Sequence, residues 1–274
     1  MKPEEQTGSL KSENFLFIRE LLRREAAIVI EPGKEYLVET RLASVAVKNG
    51  FGSVNALIDE IRASSNEAIN WQAVDALTTN ETLFFRDANP FEALREHIVP
   101  KFKADNPGAV LKFWSAACST GQEPYSIAML MAEHFPEVET RITATDISPS
   151  VVARARAGVF NQIEVNRGLP AKLLIKYFRQ TPVGWQIADA IRQRIDFREM
   201  NLIRPWQLLP KAHVVFIRNV MIYFDVEIRR EILAKVKDVI APGGYLGLGG
   251  AETTVTIDPD FKPIVFGRAT FYQL

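Results

Sequence analysis

Glu123 and Asp146 stand where a strand–turn–helix unit would present carboxylates to a ligand. Residues 112–127, KFWSAACSTGQEPYSI, read as a buried strand (Phe113, Trp114, Ala116, Ala117), a tight turn of small residues (Cys118, Ser119, Thr120, Gly121) and the start of a helix. A strand that ends in such a turn brings bare backbone N–H groups close to a bound molecule. Twenty-five residues beyond Gly121, Ile142-Thr143-Ala144-Thr145-Asp146 reads as a second strand ending in an acid. At this spacing doubly wound folds place a carboxylate on ribose hydroxyls. The chemistry implied is the binding of a nucleoside-bearing molecule.

The turn is not a strict G-x-G-x-x-G, because only Gly121 remains, with Ala and Ser at the other close-approach places. Glu123 narrows the choice of ligand. A dinucleotide puts pyrophosphate at this helix N-terminus, where a carboxylate repels it. A cofactor with a cationic end and no phosphate welcomes the acid, and S-adenosylmethionine has that form. Two further segments carry candidates. Leu77–Arg86, LTTNETLFFR, alternates polar and aromatic residues, and Asn80, Thr82 and Arg86 can meet one ligand, Arg86 as a fork for a carboxylate. The strand over 213–218 ends in Arg218-Asn219-Val220-Met221-Ile222-Tyr223, and a polar pair breaking an apolar run at a strand's carboxyl end faces the ligand crevice. Tyr223 then borders the reacting centre, and Asn201-Leu202, just past a strand ending near Glu199, sits where an adenine edge is read.

The elements that must position these residues fall into two groups. A loose tail is expected over 1–13. Phe15, Ile18, Leu22 and Ala26 recur at helical spacing, as do Tyr36, Leu37, Leu42, Val45 and Ala46, and Ser53 and Asn66 open two more helices that run to Ile61 and about Leu77. No strand pattern precedes about residue 110. A helix over 91–103 follows, and then strands (110–116, 141–146, 194–199, 213–218, 244–249, 264–272) alternate with helices near 123–134, 149–156 and 226–240. Alternation at these lengths predicts a doubly wound, mostly parallel α/β sheet. The stretch 157–194 exceeds what a crossover needs, so it reads as an inserted subdomain with a helix from Leu169-Pro170 to Tyr177 and a hairpin around Thr181–Trp185. The expected division is an all-α N-terminal domain, 12–88, and a Rossmann-like domain, 89–274.

Composition excludes several classes. The chain of 274 residues has 33 basic and 33 acidic side chains, which gives a general nucleic-acid role no support. There is no run of 18 apolar residues and no signal-peptide core. The single cysteine, Cys118, excludes internal disulfides and fits a reducing, cytoplasmic compartment, and the three histidines, His97, His134 and His213, lie too far apart to suit a metal. A monomer is expected, since no long exposed apolar seam is apparent.

WSAACSTGQEPYSIA, LTTNETLFFRD, ATDIS and FIRNVMIYFD, in this order, resemble the chemotaxis receptor methyltransferase family, CheR, from about residue 12 to the end. The resemblance implies an S-adenosylmethionine-dependent protein-glutamate O-methyltransferase that esterifies glutamates on the cytoplasmic helices of chemoreceptors, leaving S-adenosylhomocysteine. It implies that Asn80, Thr82 and Arg86 hold the methionine end of the cofactor. Glu123 and Asp146 share its amino-acid and ribose portions, and Asn201, Leu202, Arg218 and Asn219 complete the pocket. In the family the inserted hairpin can also bind a receptor's C-terminal peptide as an added strand. Gln122 stands where many relatives place a first Glu, while Glu123 keeps the second.

A glutamate is ionised near neutral pH and is its own nucleophile, so the absence of a Ser-His-Asp or Cys-His set is expected. Arg218 or Tyr223 is then an orienter of the acceptor. Basic faces that would attract receptor helices are the inserted segment, with nine Arg/Lys against four Asp/Glu over 150–201, and the helix with Arg41 and Lys48. Three alternatives stand beside this reading: a scaffold with a vestigial pocket, a nucleic-acid methyltransferase, and a nicotinamide dehydrogenase. The second lacks its Asn-Pro-Pro-Tyr-like signature here, and Glu123 opposes the third. Calorimetric titration should give heat with S-adenosylmethionine and S-adenosylhomocysteine and none with NAD; tight NAD binding without the other two would reverse the assignment.

Overall fold

The computed structural model describes residues 9–64, 66–206 and 209–274, which fall into two compact units. One holds the described residues up to Thr79 together with Tyr223–Asp225, and the other holds Asn80–Ile222 and Val226–Leu274.

The first unit is all-helical: α1 Ser12–Ala26, α2 Glu35–Lys48, α3 Val54–Ala63 and α4 Glu67–Leu77. The expected loose tail 1–13 lies largely outside the described residues, and α1 has already begun at Ser12. The Ser53 hydroxyl accepts from the Ala56 N–H at the start of α3, and the Asn66 side chain accepts from Ala68 and Ile69 at the start of α4. These bonds satisfy amides that have no partner inside the helix. Ile18, Leu22, Val38, Leu42, Leu57, Ile58 and Ala73 are fully buried between the helices. Arg41 closes the far end of α4, donating from Nη1 to the Leu77 and Thr78 carbonyls at 2.7 and 2.9 Å. A cation there meets the negative end of the helix dipole.

The second unit opens with α5 (Asn89–Ala93), a π-type turn over Leu94–Ile98, and α6 (Val99–Asp105). The sequence predicts one helix over this stretch. Pro100 explains the irregular turn, because its ring removes a donor that the carbonyl one turn earlier would need. Then come β1 (Leu111–Ala116), α7 (Gln122–His134), β2 (Thr140–Asp146), α8 (Pro149–Ala157), β3 (Val159–Phe160), α9 (Gln162–Asn166), α10 (Ala171–Tyr177), β4 (Phe178–Thr181), β5 (Gly184–Ile187), α11 (Asp189–Arg192), β6 (Ile195–Glu199), β7 (Ala212–Ile217), α12 (Val226–Val239), β8 (Ile240–Leu248), β9 (Lys262–Phe266) and β10 (Ala269–Gln273). The fold is the expected α/β one: a seven-stranded sheet in the order β6-β2-β1-β7-β8-β10-β9, parallel except for β10, which runs against both its neighbours β8 and β9. The strand expected over 264–272 is instead a hairpin that turns at Gly267, whose φ of +58° suits glycine. Strand order reverses between β1 and β7, so the carboxyl ends of β1, β2 and β7 open on the crevice where such folds bind ligands.

The insertion forms its own antiparallel sheet, β3-β5-β4, with Pro182-Val183 as the two-residue hairpin loop. The two-residue β3 had no signal in the sequence. Glu133 of α7 ties the insertion down, taking an ion pair from Lys176 and a hydrogen bond of 2.6 Å from the Tyr177 hydroxyl. Phe84 plugs the same seam. It is fully buried and stands edge-on to Phe160 and Phe178, with ring centroids 5.0 and 5.8 Å away. Backbones meet here too: a Cβ on Gly168 (φ +85°) would lie 2.0 Å from the Phe84 carbonyl oxygen, so only glycine fits. Phe84→Ala should lower the stability of this unit by about 3–5 kcal/mol in urea unfolding, the usual cost of emptying a buried aromatic site. A change near zero would show that the seam is not packed as described.

Candidate cofactor-binding site

The turn after β1 is held in a costly conformation. Ala117 and Ser119 have φ of +50°, and Gly121 has +95°. Left-handed backbone at non-glycine residues costs of order 1–3 kcal/mol each and persists only where neighbours fix it. Here the Cys118 N–H donates to the Thr145 carbonyl (2.9 Å), the Ser119 N–H to Asp146 Oδ2 (2.8 Å), and the Ser119 hydroxyl to the Asn80 carbonyl (2.8 Å). Phe85, Asp87 and Asn219 share the same backbone region at +48°, +59° and +59°. Five of the six left-handed non-glycine residues among those described therefore belong to the segments named from the sequence.

Asp146 ends β2 and is 5% exposed. Its Oδ2 takes the Ser119 N–H and its Oδ1 the Ser148 N–H at 3.0 Å, which also sets Ser148 to cap α8. These bonds orient the carboxylate at the end of β2. Met200 N–H reaches the Asp146 carbonyl at 2.8 Å, and this sets Asn201 and Leu202 beside it. Asn201 Oδ1 accepts from the Ile203 N–H (3.1 Å), the turn-forming bond typical of Asn, and the Leu202 carbonyl accepts from Trp206 and Lys235.

Glu123, in the first turn of α7, receives the Ser115 hydroxyl on Oε1 (2.7 Å) and Arg218 Nη1 on Oε2 (2.9 Å). Arg218 follows β7 with only 1% of its side chain exposed. Its Nη2 donates to the Arg86 carbonyl (2.8 Å) and to Asp87 Oδ2 (2.9 Å), while the neighbouring rings of Phe91 and Phe216 stand 5.8 and 5.7 Å from the guanidinium carbon. Arg218 Nε is buried without an acceptor among the described residues.

The segment 80–87 is fastened at several points. The Phe85 N–H donates to Ser126 Oγ (2.9 Å), Arg86 Nη1 to the Glu81 carbonyl (3.3 Å), and Arg167 of the insertion to Glu81 (2.9 Å). Asn80, Thr82, Thr120 and Gln122 line one side of a cleft of about 460 Å³, and Arg154 and Arg167 lie among its other walls. Cys118 is buried in the turn, and burial together with the nearby Asp146 and Glu123 charges pushes its thiol well above the usual range, so it stays protonated.

Asp146 and Asn80 are thus joined through Ser119, and Arg218 bonds Glu123 and the Arg86 carbonyl directly, while Asn219 is held by Glu252, Thr82 lines the cleft, and Asn201-Leu202 attach through Met200. Tyr223 is not drawn in. It closes the 3₁₀ turn Met221–Tyr223, its carbonyl accepts from Val29 (3.3 Å), and it groups with the helical unit. Of the two basic faces read from the sequence, Arg41 is engaged in capping α4, and within 150–201 Arg154, Arg192 and Arg198 pair with Glu164, Asp189 and Asp196. Sequence reasoning gave no role to Ser115, Ser119 or Asp87, although they lie in segments it named, and it missed Glu252 entirely. Among the described residues no group of three or more His, Cys, Asp or Glu could hold a metal, and no helix is long and apolar enough to cross a membrane.

The arrangement suits a phosphate-free, partly cationic nucleoside: two fixed carboxylates, one of them Glu123 in the first turn of α7, where a pyrophosphate would otherwise bind. Comparison with known proteins agrees. The model described as the SAM binding domain of CheR methyltransferase matches residues 80–269, and that for the all-alpha domain matches 13–78. The chemotaxis protein methyltransferase Cher2 of Pseudomonas putida is 37% identical over 97% of this chain and 98% of its own. Chemotaxis protein methyltransferase 1 of Pseudomonas aeruginosa is 36% identical over 97% and 99%, and a chemotaxis protein methyltransferase of Vibrio parahaemolyticus 36% over 92% and 94%. Arg218→Ala should destabilise the second unit by about 3 kcal/mol, because it strands the largely buried Glu123 carboxylate without a counter-charge. Urea unfolding reads this directly, and an unchanged midpoint would show that Arg218 is not part of the network.

Proposed function

The chain belongs to the CheR methyltransferase family and uses S-adenosylmethionine, and we propose that it methylates glutamate side chains on the cytoplasmic helices of chemoreceptors, with an adaptation role in chemotaxis. The observation that carries this reading is the pair of fixed carboxylates at a turn without phosphate-binding character, Asp146 on the Ser119 N–H and Glu123 in the first turn of α7. When bound, the cofactor supplies a methyl group on a positively charged sulfur with its own leaving group.

In this reading Asn80, Thr82 and Arg86 hold the methionine end. Glu123 and Asp146 divide its amino group and the ribose between them, and Asn201, Leu202, Arg218 and Asn219 close the pocket. The acceptor glutamate is already an anion, so no residue need remove a proton. What the protein must supply is alignment and the exclusion of water, since attack of an anion on a cation loses charge in the transition state. Arg218, held by Glu123, Asp87 and the Arg86 carbonyl, acts by keeping those groups in place. Tyr223, five residues further along, is the proposed orienter of the acceptor.

The partner is a receptor helix, met in the cytoplasm by a monomeric enzyme. The inserted sheet supports a second contact: β4 is an edge strand, the kind of position at which an extended receptor tail can add as a further strand. The test is transfer of labelled methyl from S-adenosylmethionine to receptor fragments, followed by mass mapping. Methyl esters on glutamate, with slower transfer in Tyr223→Phe, are expected. Cofactor binding without transfer to any receptor fragment would turn the assignment toward a non-catalytic scaffold.

A further inference from the structure

We infer that Glu252 is a positioning residue of the cofactor site, a carboxylate that fixes the loop carrying Arg218 and Asn219. Glu252 lies in the turn after β8, 33 residues beyond Asn219 in the chain. Its Oε2 accepts two backbone N–H groups at once, from Asn219 (2.8 Å) and Gly249 (2.7 Å), and its Oε1 accepts from Ile222 (3.3 Å). One side chain therefore grips both ends of the segment 219–222 and bonds it to the end of the neighbouring strand. Bonds from N–H to a carboxylate are roughly twice as strong as neutral ones, and a half-buried site screens them little.

The grip is needed because the loop does not hold its own shape. Asn219 sits at φ +59°, a conformation that reverts unless its surroundings fix it. Gly249 makes the approach possible: a Cβ there would lie 2.7 Å from both Asn219 Nδ2 and Glu252 Oε2, and 2.8 Å from the Asn219 nitrogen. Glycine at 249 and glutamate at 252 thus form one device whose product is the placement of Asn219 and, one residue back, of the Arg218 guanidinium that holds Glu123. Glu252 itself bonds only to backbone, so it acts through these residues.

The inference rests on the cofactor and not on the identity of the acceptor, so it is read by binding. Glu252→Ala should weaken S-adenosylhomocysteine by about tenfold in calorimetry, the size expected when hydrogen bonds to a charged group are lost. Glu252→Gln, which keeps one acceptor oxygen, should recover part of that loss. Gly249→Ala, which crowds the contact and leaves the carboxylate in place, should weaken binding in the same sense. A residue that only stabilised the fold would lower the melting temperature and the folded fraction but leave the dissociation constant of the folded molecules unchanged. Wild-type affinity in both Glu252→Gln and Gly249→Ala would overturn the inference even if Glu252→Ala failed to fold. Because no receptor enters the measurement, failure of the glutamate reading leaves this outcome unaffected.

Discussion

Burying a guanidinium is unfavourable unless its charge and its donors are met, and Arg218 imposes that condition on everything around it. Its partners come from four places in the chain: Glu123 from the first turn of α7, Asp87 and the Arg86 carbonyl from the segment that precedes the sheet, and the adjacent rings of Phe91 in α5 and Phe216 in β7. Ser115 extends the chain of bonds to the middle of the sheet through Glu123. The strained backbone at Asp87 is tolerable because this network fixes it. One buried cation thereby turns a sheet end, a helix start and a loop into a single rigid wall.

Asp146 does for the opposite wall what Arg218 does here, with the sign reversed. A buried carboxylate gathers the amides of Ser119 and Ser148, and through Ser119 it reaches the Asn80 carbonyl. Both charges are satisfied mainly by neighbours distant in sequence, which pre-organises the site. Ordering of these groups is then complete before a ligand arrives, and less of the binding free energy is lost to it. Methyl transfer between an anion and a sulfonium draws little on acid–base groups, so a site invested in fixed charge instead of titrating side chains is what the chemistry favours.

The insertion is part of this economy and not an ornament on the surface. Gly168 and Phe84 bring its backbone against the segment 80–87, and Arg167 reaches Glu81 across the same seam. The residues proposed to hold the methionine end thus lean on the subdomain proposed to meet the receptor tail.

The order of the main strands and helices, the four helices of the first unit and the strand–turn–helix unit around Gly121 were legible in the sequence. Periodicity, caps such as Ser53 and Asn66, and the acid at the end of β2 are local properties, and local rules govern them. The splitting of the last strand and the π-type turn before Pro100 were not read, although each has a local cause at Gly267 and Pro100. Arg218 was visible as a polar break in an apolar run, but not the inward turn of its guanidinium. Glu252 gave no sign at all, because its acceptor atoms matter only once β7 and β8 lie side by side and bring Asn219 within 2.8 Å. The chain's own letters determined which elements form and which groups stand at their ends. Only tertiary packing decided which charges face each other, because a bond between residues 30 or 130 apart depends on strand order and register, and no local pattern encodes either.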